Sequence, residues 1–349
     1  MTGTGGPLVG LRVIEFASIG PGPHCAMLLA DQGADVVRID REGGNGWPNP
    51  VVDRGRTVVT LDIRSDEGRG AALALCDEAD VVIEGLRPGV MERLGLGPDE
   101  MLGRNPRLVY GRMTGWGQTG PMARTAGHDI NYIALTGALD AIGTPGERSV
   151  PPLNLVGDFG GGSLYLAFGI MAALWERERS GQGQVVDAAI VDGVSSMMTM
   201  FAGLIPSGRI TLDRARNPLG GSAPYYRTYL CADGREMSVG ALEPQFWAEV
   251  VRILGIEADE PASLQREDRW PEAATLLETA FRSRGRNDWV ERFRGSDACV
   301  APVLTLEEAM RDTHLLTRGT YINDGSATFA APAPRFSRTS RASCPESSD

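Results

Sequence analysis

Two side chains that can move protons stand beside glycines in the middle of the sequence. His128 is one of three histidines and lies between Gly127 and Asp129, directly before an apolar run with helical spacing. Asp158 lies in LVGDFGGGS, a segment rich in glycine. The N-terminal end of a helix stabilises nearby negative charge. An imidazole at such a position could remove a proton next to a carbonyl group, and the helix end could stabilise the resulting enolate.

Each of these residues also has a simpler interpretation. His128 could cap a helix or fill the core, with Gly127 allowing the backbone to turn. Asp158 could be a turn residue, although the glycines around it would also let a substrate approach the backbone closely. Glu243, in VGALEPQFW, could be a carboxylate favoured by a helix dipole, or a partner that orients His128.

Arginine is the basic residue of this chain, because the sequence contains no lysine among its 34 basic residues. That absence excludes Schiff-base lysine chemistry and the lysine of a P-loop. Arg41, Arg64, Arg87 and Arg93 follow predicted strands, where doubly wound folds bind ligands. Each could be an ordinary surface residue, but together they predict a site for a polyphosphate. Arg38 lies inside a predicted strand, and its role stays open.

Composition limits the partners and the location of the protein. The chain has 349 residues and a formal net charge of −11, which argues against nucleic acid or an anionic membrane surface as a partner. The sequence has no apolar run of membrane-spanning length, and MTGTGGPLVG does not resemble a signal peptide. The five cysteines are scattered, which is typical of reduced thiols. We therefore expect a cytoplasmic protein.

Strand and helix patterns alternate through the first 200 residues and predict an α/β fold of the doubly wound, Rossmann-like type. The turn after the first strand reads SIGPGPHC rather than GxGxxG, which disfavours a nicotinamide-dependent dehydrogenase. A glycine-rich turn at 157–162 should precede a long buried helix that reaches the surface at its C-terminal end. The predicted strands are LRVIEF (11–16), DVVRID (35–40), TVVTLDI (57–63), DVVIEG (80–85), the start of LVYGRMTGWG (108–117) and the end of 157–193.

The sequence changes character after residue 200. We predict a large domain over residues 1–200, a linker over 201–224, a small α+β domain over 225–315, and a C-terminal segment over 316–349 that returns to the large domain. The small domain should begin with a hairpin around Ala-Asp-Gly in YYRTYLCADGREMSVGAL (225–242). The methionines of VSSMMTMF (194–201) could be core filler or part of an adaptable apolar groove.

Several blocks together resemble a known family. The chain is similar to the α-methylacyl-CoA racemases, a branch of the family III CoA-transferase superfamily, over nearly its whole length. The pair GHDINY and LVGDFGGGS carries the specificity of this resemblance. Supporting blocks are GPLVGLRVIEFASIGPGPHCAMLLADQGADVVRIDR, VVIEGLRPGVMERLGLGP, MTGWGQTGP, GQGQVVDAAIVDG, VGALEPQFW and SDACVAPVL.

The resemblance implies an interlocked homodimer that acts on a 2-methylacyl-CoA thioester. It implies that His128 and Asp158 are the two catalytic bases and that Glu243 supports them. One base would remove the α-proton to give an enolate, and the other would return a proton to the opposite face. Neither a metal nor a redox cofactor is required. The CoA-contacting positions implied are Arg41, Leu61, Asp62, Ile63, Arg64, Gly85, Leu86, Arg87, Arg93, Gly127, Asp129, Ile130, Asn131 and Tyr132.

The sequence departs from the family pattern near the CoA positions and leaves other functions open. The segment EGGNGWPNPVVDRGR after Arg41 is variable, and Arg64 stands where a relative can have lysine. A CoA-transferase would use Asp158 as a nucleophile and would lack the imidazole of the GHD block. A catalytically silent CoA-binding protein would bind acyl-CoA without exchanging the α-proton.

Overall fold

Short runs rich in valine and isoleucine form a six-stranded parallel sheet in the computed structural model, which describes residues 5–325 and 327–339. The order of the strands is β3-β2-β1-β4-β5-β6. The order therefore reverses between the neighbours β1 and β4, as in a doubly wound fold, and the predicted α/β class is confirmed. The strands are β1 (Arg12–Phe16), β2 (Asp35–Asp40), β3 (Arg56–Thr60), β4 (Val81–Glu84), β5 (Val109–Thr114) and β6 (Val185–Ala189).

Helices cover both faces of this sheet because adjacent strand residues point to opposite sides. Tyr110 belongs to a buried cluster with Ala72 of α2 and Met101 of α4. The next residue, Gly111, lies against Leu166 and Ile170 of α7. The helices of this part of the chain are α1 (Pro21–Asp31), α2 (Asp66–Asp77), α3 (Val90–Arg93), α4 (Pro98–Arg104), α5 (Asp129–Leu135), α6 (Ala138–Ala141), α7 (Leu164–Ser180) and α8 (Ile190–Met197).

The glycine-rich segment before α7 is helical, so the predicted turn is wrong. Residues Leu155–Ser163 form a π-helical segment that runs directly into α7. Its glycines allow close packing, because a Cβ at Gly161 would lie 2.6 Å from a methyl group of Val194 in α8. Single π-helical turns are rare and occur often at functional sites. The segment therefore carries Asp158 on a rigid helix instead of a loop.

Helix α7 is buried on one side only, which corrects the expectation of a buried helix. Leu166, Ile170 and Leu174 are buried against the sheet. An 18-residue window within Leu155–Ser180 has a mean hydropathy of 1.3, which is apolar enough for a membrane span, as the core helices of soluble proteins also can be. The opposite side exposes an apolar stripe with a spacing of three to four residues, made of Leu164, Phe168, Met171 and Trp175.

The second unit contains a three-stranded antiparallel sheet, in the order β7-β8-β9, and its own core. The predicted hairpin is confirmed, since Tyr229 pairs with Met237 across a turn that contains Gly234 in the left-handed region. Trp247, Phe281 and Trp289 lie at the centre of the core. The elements are α9 (Thr199–Leu204), β7 (Tyr226–Leu230), β8 (Glu236–Gly240), α10 (Pro244–Leu254), α11 (Trp270–Phe281), α12 (Arg286–Phe293), β9 (Val300–Pro302), α13 (Leu306–Ala309) and α14 (Thr313–Thr317).

The boundaries of the two units differ from the predicted domains at the linker. Arg214, in the middle of the predicted linker, donates hydrogen bonds to the carbonyl of Glu147 (3.0 Å) and to the hydroxyl of Ser149 (3.3 Å). The linker and an earlier insertion thus pack together. Among the described residues, the second unit comprises Leu139–Pro151 and Thr199–Gly319, and the first comprises those up to Ala138, Pro152–Met198 and those from Thr320 onwards.

The C-terminal segment lies in the first unit. It forms the antiparallel strands β10 (Tyr321–Asn323) and β11 (Thr328–Ala330). Phe329 lies under the guanidinium of Arg54, 5.2 Å from ring centre to carbon, and the carbonyl of Pro334 accepts a hydrogen bond from Gln32. Residues 340–349 of the predicted segment lie outside the described residues.

Candidate active site

A cavity of about 910 Å³ opens in the first unit beside the ends of the central strands. Loops after β1, β2, β4 and β5 contribute to its wall, together with the start of α5 and the π-helical segment. This is the edge at which doubly wound folds bind ligands. The predicted site residues in the wall are Gly85, Leu86, Arg87, Gly127, His128, Tyr132 and Asp158.

His128 lies immediately before α5 and has an extended backbone. Its N–H donates to Oδ1 of Asn131 (3.1 Å), and its carbonyl accepts the N–H of Asn131 (2.8 Å). This reciprocal bonding fixes the backbone of His128, which is exposed and forms part of the cavity wall. Asn131 therefore supports His128 and lies outside the cavity wall, and its contact with CoA stays a prediction.

Gly127 serves close packing more than turning, because its φ angle is not in the left-handed region. The hydroxyl of Tyr132 donates to the carbonyl of Gly127. The ring of Tyr132 in turn meets Trp116 edge to face, with 4.7 Å between ring centres. A Cβ at Gly127 would lie 2.7 Å from the Tyr132 ring and 3.0 Å from the Trp116 ring. The glycine thus lets the chain before His128 pass between two aromatic side chains.

Asp158 is held by the π-helical segment at the cavity wall. Its Oδ2 accepts a hydrogen bond from Nδ2 of Asn154 (3.2 Å), one helical turn earlier. Burial raises the pKa of Asp158, and the nearby charge of Asp129 adds to the increase, whereas the Asn154 bond and the charge of His128 oppose it. Gly20, with φ of 71°, leaves room for the carboxylate, since a Cβ there would lie 3.1 Å from Oδ2.

Asp129 lies behind the site and is buried, with 8% of its surface exposed. Its Oδ1 accepts the backbone N–H of Asp158 (2.6 Å). A Cβ at Gly157 would lie 2.1 Å from the same oxygen, so only glycine fits there. Burial raises the pKa of Asp129, against the hydrogen bonds from the N–H groups of Asp158 and Gly157. The carboxylate of Asp129 thus anchors the segment that carries Asp158, and its contact with CoA stays a prediction.

The predicted phosphate-binding arginines follow strands at one edge of the sheet. Arg41 follows β2, Arg64 follows β3, and Arg87 and Arg93 follow β4. All four are exposed, and none forms an ion pair with a described residue. Only Arg87 of this set lines the cavity.

Arg38, whose role the sequence left open, is a buried structural residue. It forms ion pairs with Asp53 (2.7 Å) and Asp40 (3.2 Å), and its side chain is 4% exposed. Arginine therefore has two roles near this edge of the sheet, one structural and one open to ligand binding. Arg38 holds the loop after β2 in place, whereas the charges of the exposed set remain available to a ligand.

The remaining predicted CoA contacts of the first unit lie outside the cavity wall. Leu61 and Ile63 are half-buried and pack against the hydrophobic cluster under the sheet. Asp62 accepts the N–H of Arg64 (3.1 Å) in a short turn. Ile130 is exposed, with 44% of its surface accessible. These residues follow β3 or begin α5, so they flank the cavity-bearing edge of the sheet.

Glu243 belongs to the second unit, where it immediately precedes α10. Its carbonyl accepts the N–H of Trp247 (3.0 Å), which starts the helix. After burial, the charge of Glu243 is the next cause that raises the pKa of Cys299. The orientation of His128 by Glu243 stays a prediction.

No role was predicted for Asn154, Gly20 or Trp116, although all three line the cavity. Asn154 precedes Asp158 by four residues, which is a meaningful spacing only if the glycine-rich stretch is helical. The described residues contain no group of three or more histidine, cysteine or acidic side chains that could hold a metal ion.

Comparisons with known proteins agree with the resemblance seen in the sequence. The chain is 45% identical to the mouse protein named alpha-methylacyl-CoA racemase, over 95% of this chain and 87% of that protein. Identity to the human protein of the same name is 42% over the same shares. A crystal structure of a CAIB/BAIF family protein from Brucella suis superposes with a TM-score of 0.81 at 27% identity, and covers 97% of this chain and 94% of that one.

The family itself is shown by a match along most of the sequence. The model of CoA-transferase family III matches residues 8–346. That range includes the GHDINY and LVGDFGGGS blocks as well as the strand-end arginines. The chain therefore belongs to CoA-transferase family III.

Proposed function

We propose that this protein is a racemase that interconverts (2R)- and (2S)-2-methylacyl-CoA thioesters. The observation that carries the proposal is the presence of His128 and Asp158 in the wall of one cavity at the ligand-binding edge of the sheet. The likeness to proteins named alpha-methylacyl-CoA racemase supports the same activity. An isomerase of this kind needs two bases, one for each face of the substrate.

The proposed reaction is a 1,1-proton transfer through an enolate. One base takes the α-proton, the electron pair of the C–H bond moves onto the thioester oxygen, and the other residue delivers a proton to the opposite face. The N–H of Asn131 is already bonded to the His128 carbonyl. The first-turn N–H groups of Asp129 and Ile130 have no hydrogen-bond acceptor among the described residues, so they are the candidates to stabilise the enolate oxygen.

In each direction of the reaction, one of the two residues His128 and Asp158 must carry a proton and the other must not. The raised pKa of Asp158 keeps a larger fraction of its carboxyl group protonated than an exposed aspartate would have. With Asp158 protonated and His128 neutral, one epimer reacts. With the roles reversed, the other epimer reacts. This scheme needs neither a metal nor a redox cofactor, and Glu243 is proposed to support His128.

The CoA portion of the substrate is proposed to bind the exposed arginines after β2, β3 and β4. Arginine binds phosphate oxygens through two parallel hydrogen bonds, and this chain has no lysine to share the task. Arg87 supports the proposal most directly, because it lines the cavity and has no ion-pair partner among the described residues.

A homodimer is part of the proposal. The apolar stripe on α7 exposes Phe168 by 74% and Trp175 by 69%, an unusual cost for a helix in water. A second copy that covers the stripe would remove this cost. We also propose a cytoplasmic location and no nucleic-acid partner, in keeping with the net charge of −11.

The alternative is a family III CoA-transferase in which Asp158 acts as the nucleophile. The position of Asp158 at the cavity wall and the family description are compatible with it. One experiment separates the two activities: a single epimer of a 2-methylacyl-CoA is incubated with the protein and an isotopically labelled free acid. The racemase proposal predicts formation of the other epimer without label in the thioester. Labelled thioester at constant configuration would favour the transferase.

A further inference from the structure

Arg112 forms a buried link between the end of β4 and helix α3. It lies in β5 next to Glu84 of β4, in the register of the parallel pair. Its Nε donates to Glu84 (2.9 Å), and its Nη1 donates to Glu92 of α3 (2.8 Å). The side chains of Arg112 and Glu84 are 7% and 1% exposed. One guanidinium thus connects a strand end with the helix that follows it.

The groups that Arg112 holds define the path of the loop between β4 and α3. The second carboxylate oxygen of Glu84 accepts the N–H of Leu86 (2.7 Å). In the same turn, the carbonyl of the next residue, Arg87, accepts the N–H of Val90 (3.1 Å). The backbone on either side of Arg87 is therefore tied first to Glu84 and then to the start of α3.

The same strand also fixes the chain after α3. The hydroxyl of Tyr110, two residues before Arg112 in β5, donates to the carbonyl of Leu96 (2.9 Å). A guanidinium nitrogen of Arg93 would lie 3.3 Å from a Cβ at Gly89, so this side chain folds back over the loop. Arg87 and Arg93 are thus both carried on a short segment that β5 holds at two points.

Stability alone does not account for this arrangement. Burying an arginine with a carboxylate removes both charges from water, and replacing such a pair with apolar residues is often neutral or stabilising. A buried ion pair that fixes the backbone of a loop is useful when charged side chains on that loop must stay unpaired until a ligand binds. The exposed guanidinium groups of Arg87 and Arg93, on the segment so fixed, meet that description.

We propose that Arg112 is a positioning residue that preorganises Arg87 and Arg93 for the phosphates of the CoA thioester. The inference rests on the proposed function. Arg112 itself does not touch the ligand. It fixes the loop, so its loss should weaken phosphate binding without changing proton transfer at His128 and Asp158.

The test compares Arg112→Gln with the wild type in binding and in turnover. We expect the Kd for free CoA, measured by calorimetry, to rise roughly tenfold, about the loss of one charge-assisted hydrogen bond. The kcat at saturating 2-methylacyl-CoA should stay within about twofold. A 2-methylacyl-pantetheine thioester, which lacks the phosphates, should react with unchanged kcat/KM.

Arg177→Gln is the matched control. Arg177 is similarly buried, pairs with Asp80 (3.0 Å) and donates to the carbonyl of Arg107 (3.2 Å) in the same unit. This variant should lose thermal stability but keep the CoA affinity. Should Arg112→Gln fail to fold, Glu92→Gln replaces it, because it removes one arm of the link at a half-exposed side chain and keeps the Glu84 pair.

The outcomes separate this inference from the proposed function. A higher Kd for CoA with unchanged turnover of the pantetheine thioester supports the positioning role. Unchanged CoA affinity in a folded variant, or an equal loss for both thioesters, overturns it. A wild-type protein that does not bind CoA would overturn the proposed function and this inference together.

Discussion

Asp158 is a half-buried acid at a position where its negative charge is disfavoured. Burial and the charge of Asp129 raise its pKa. Protonated Asp158 therefore favours the native fold over the unfolded chain. This contribution to the free energy of unfolding is lost as the pH rises through the raised pKa of Asp158. At neutral pH the ionised carboxylate of Asp158 lowers the stability of the fold. A role in proton transfer would explain why the protein keeps it.

Asp158→Asn should consequently be inactive and more stable. We expect epimerisation to fall by roughly 10²–10⁴-fold, the usual contribution of a general acid or base. The Tm should exceed that of the wild type at pH 8, and the difference should shrink towards pH 4, measured by differential scanning fluorimetry. Asp259→Asn, at an exposed site, serves as the control. A Tm difference that does not depend on pH would contradict the assignment of a raised pKa.

Gly157 carries a second prediction for the same site. A Cβ added at Gly157 would overlap Oδ1 of Asp129, which lies 2.1 Å from the ideal Cβ position. Gly157→Ala should push the π-helical segment away from Asp129, cost about 1–3 kcal/mol of unfolding free energy, and lower kcat by roughly 10²-fold through misplacement of Asp158. Urea denaturation and steady-state kinetics measure the two effects.

Gly103→Ala is the control for this substitution. Gly103 lies in α4, and an added Cβ would meet no atom within 4 Å. The variant should gain about 0.5–1 kcal/mol, as expected for alanine in place of glycine in a helix, and keep full activity. If Gly157→Ala behaved like this control, the proposed packing of Asp158 against Asp129 would be wrong.

At the level of residues, the sequence indicated which side chains could act but not which ones hold them. His128 and Asp158 stood out because glycines surround them and because histidine is scarce. Asn154 could not be found, since its hydrogen bond to Asp158 depends on a helical path that a run of glycines disfavours in isolation. Asp129 was visible as a neighbour of His128, yet only the fold shows its bond to Asp158.

At the scale of elements, the loops after the parallel strands carry the arginines that we assign to CoA. Arg87→Ala or Arg93→Ala should raise KM for a 2-methylacyl-CoA by roughly tenfold or more and leave kcat nearly unchanged, because phosphate contacts stabilise the ground state and the transition state alike. The effect should shrink at high ionic strength. Initial-rate kinetics at two salt concentrations provide the measurement.

Arg69→Ala is the matched control for the arginine variants. Arg69 is a partly exposed arginine of α2 that pairs with Asp66 on the helix surface. Its removal should change neither KM nor kcat. An unchanged KM in both Arg87→Ala and Arg93→Ala would remove these residues from the substrate site.

The strands and the hairpin were predictable because local patterns specify them. Runs such as DVVRID alternate with helical segments, and the Ala-Asp-Gly turn fits one hairpin type. The pairing of residues 139–151 with the region around Arg214 was not predictable, because it joins segments that are distant in sequence. The same limit applies in part to Arg38. Its partner Asp40 lies two residues away on the same face of β2, but Asp53 becomes a neighbour only when the loop after β2 folds back.

At the scale of the whole molecule, the apolar stripe on α7 is the feature that a single chain does not explain. Leu164, Phe168, Met171 and Trp175 are exposed on one side of the helix. The composition of α7 suggested a buried helix, and this expectation failed because burial against the sheet uses only one side. The other side is available to a second copy of the chain.

Phe168→Asp should weaken the proposed dimer. A buried charge in an apolar interface is strongly unfavourable, so the variant should shift from dimer to monomer at micromolar concentration in size-exclusion chromatography with light scattering. Leu306→Asp, which changes an exposed apolar residue at the start of α13, should leave the mass unchanged. A variant with the same mass as a dimeric wild type would exclude the stripe as part of the interface, and a monomeric wild type would refute the dimer.

Deuterium exchange at the α-carbon tests the central claim most directly. A 2-methylacyl-CoA of known configuration is incubated in D₂O with the wild type and with His128→Ala, and the α-proton and the 2-methyl signal are followed by NMR. Two-base transfer predicts that the wild type loses the α-proton while both epimers appear. His128→Ala should form no second epimer and should still bind CoA. Epimerisation that persists in His128→Ala, or a wild type that exchanges no α-proton, would contradict the account.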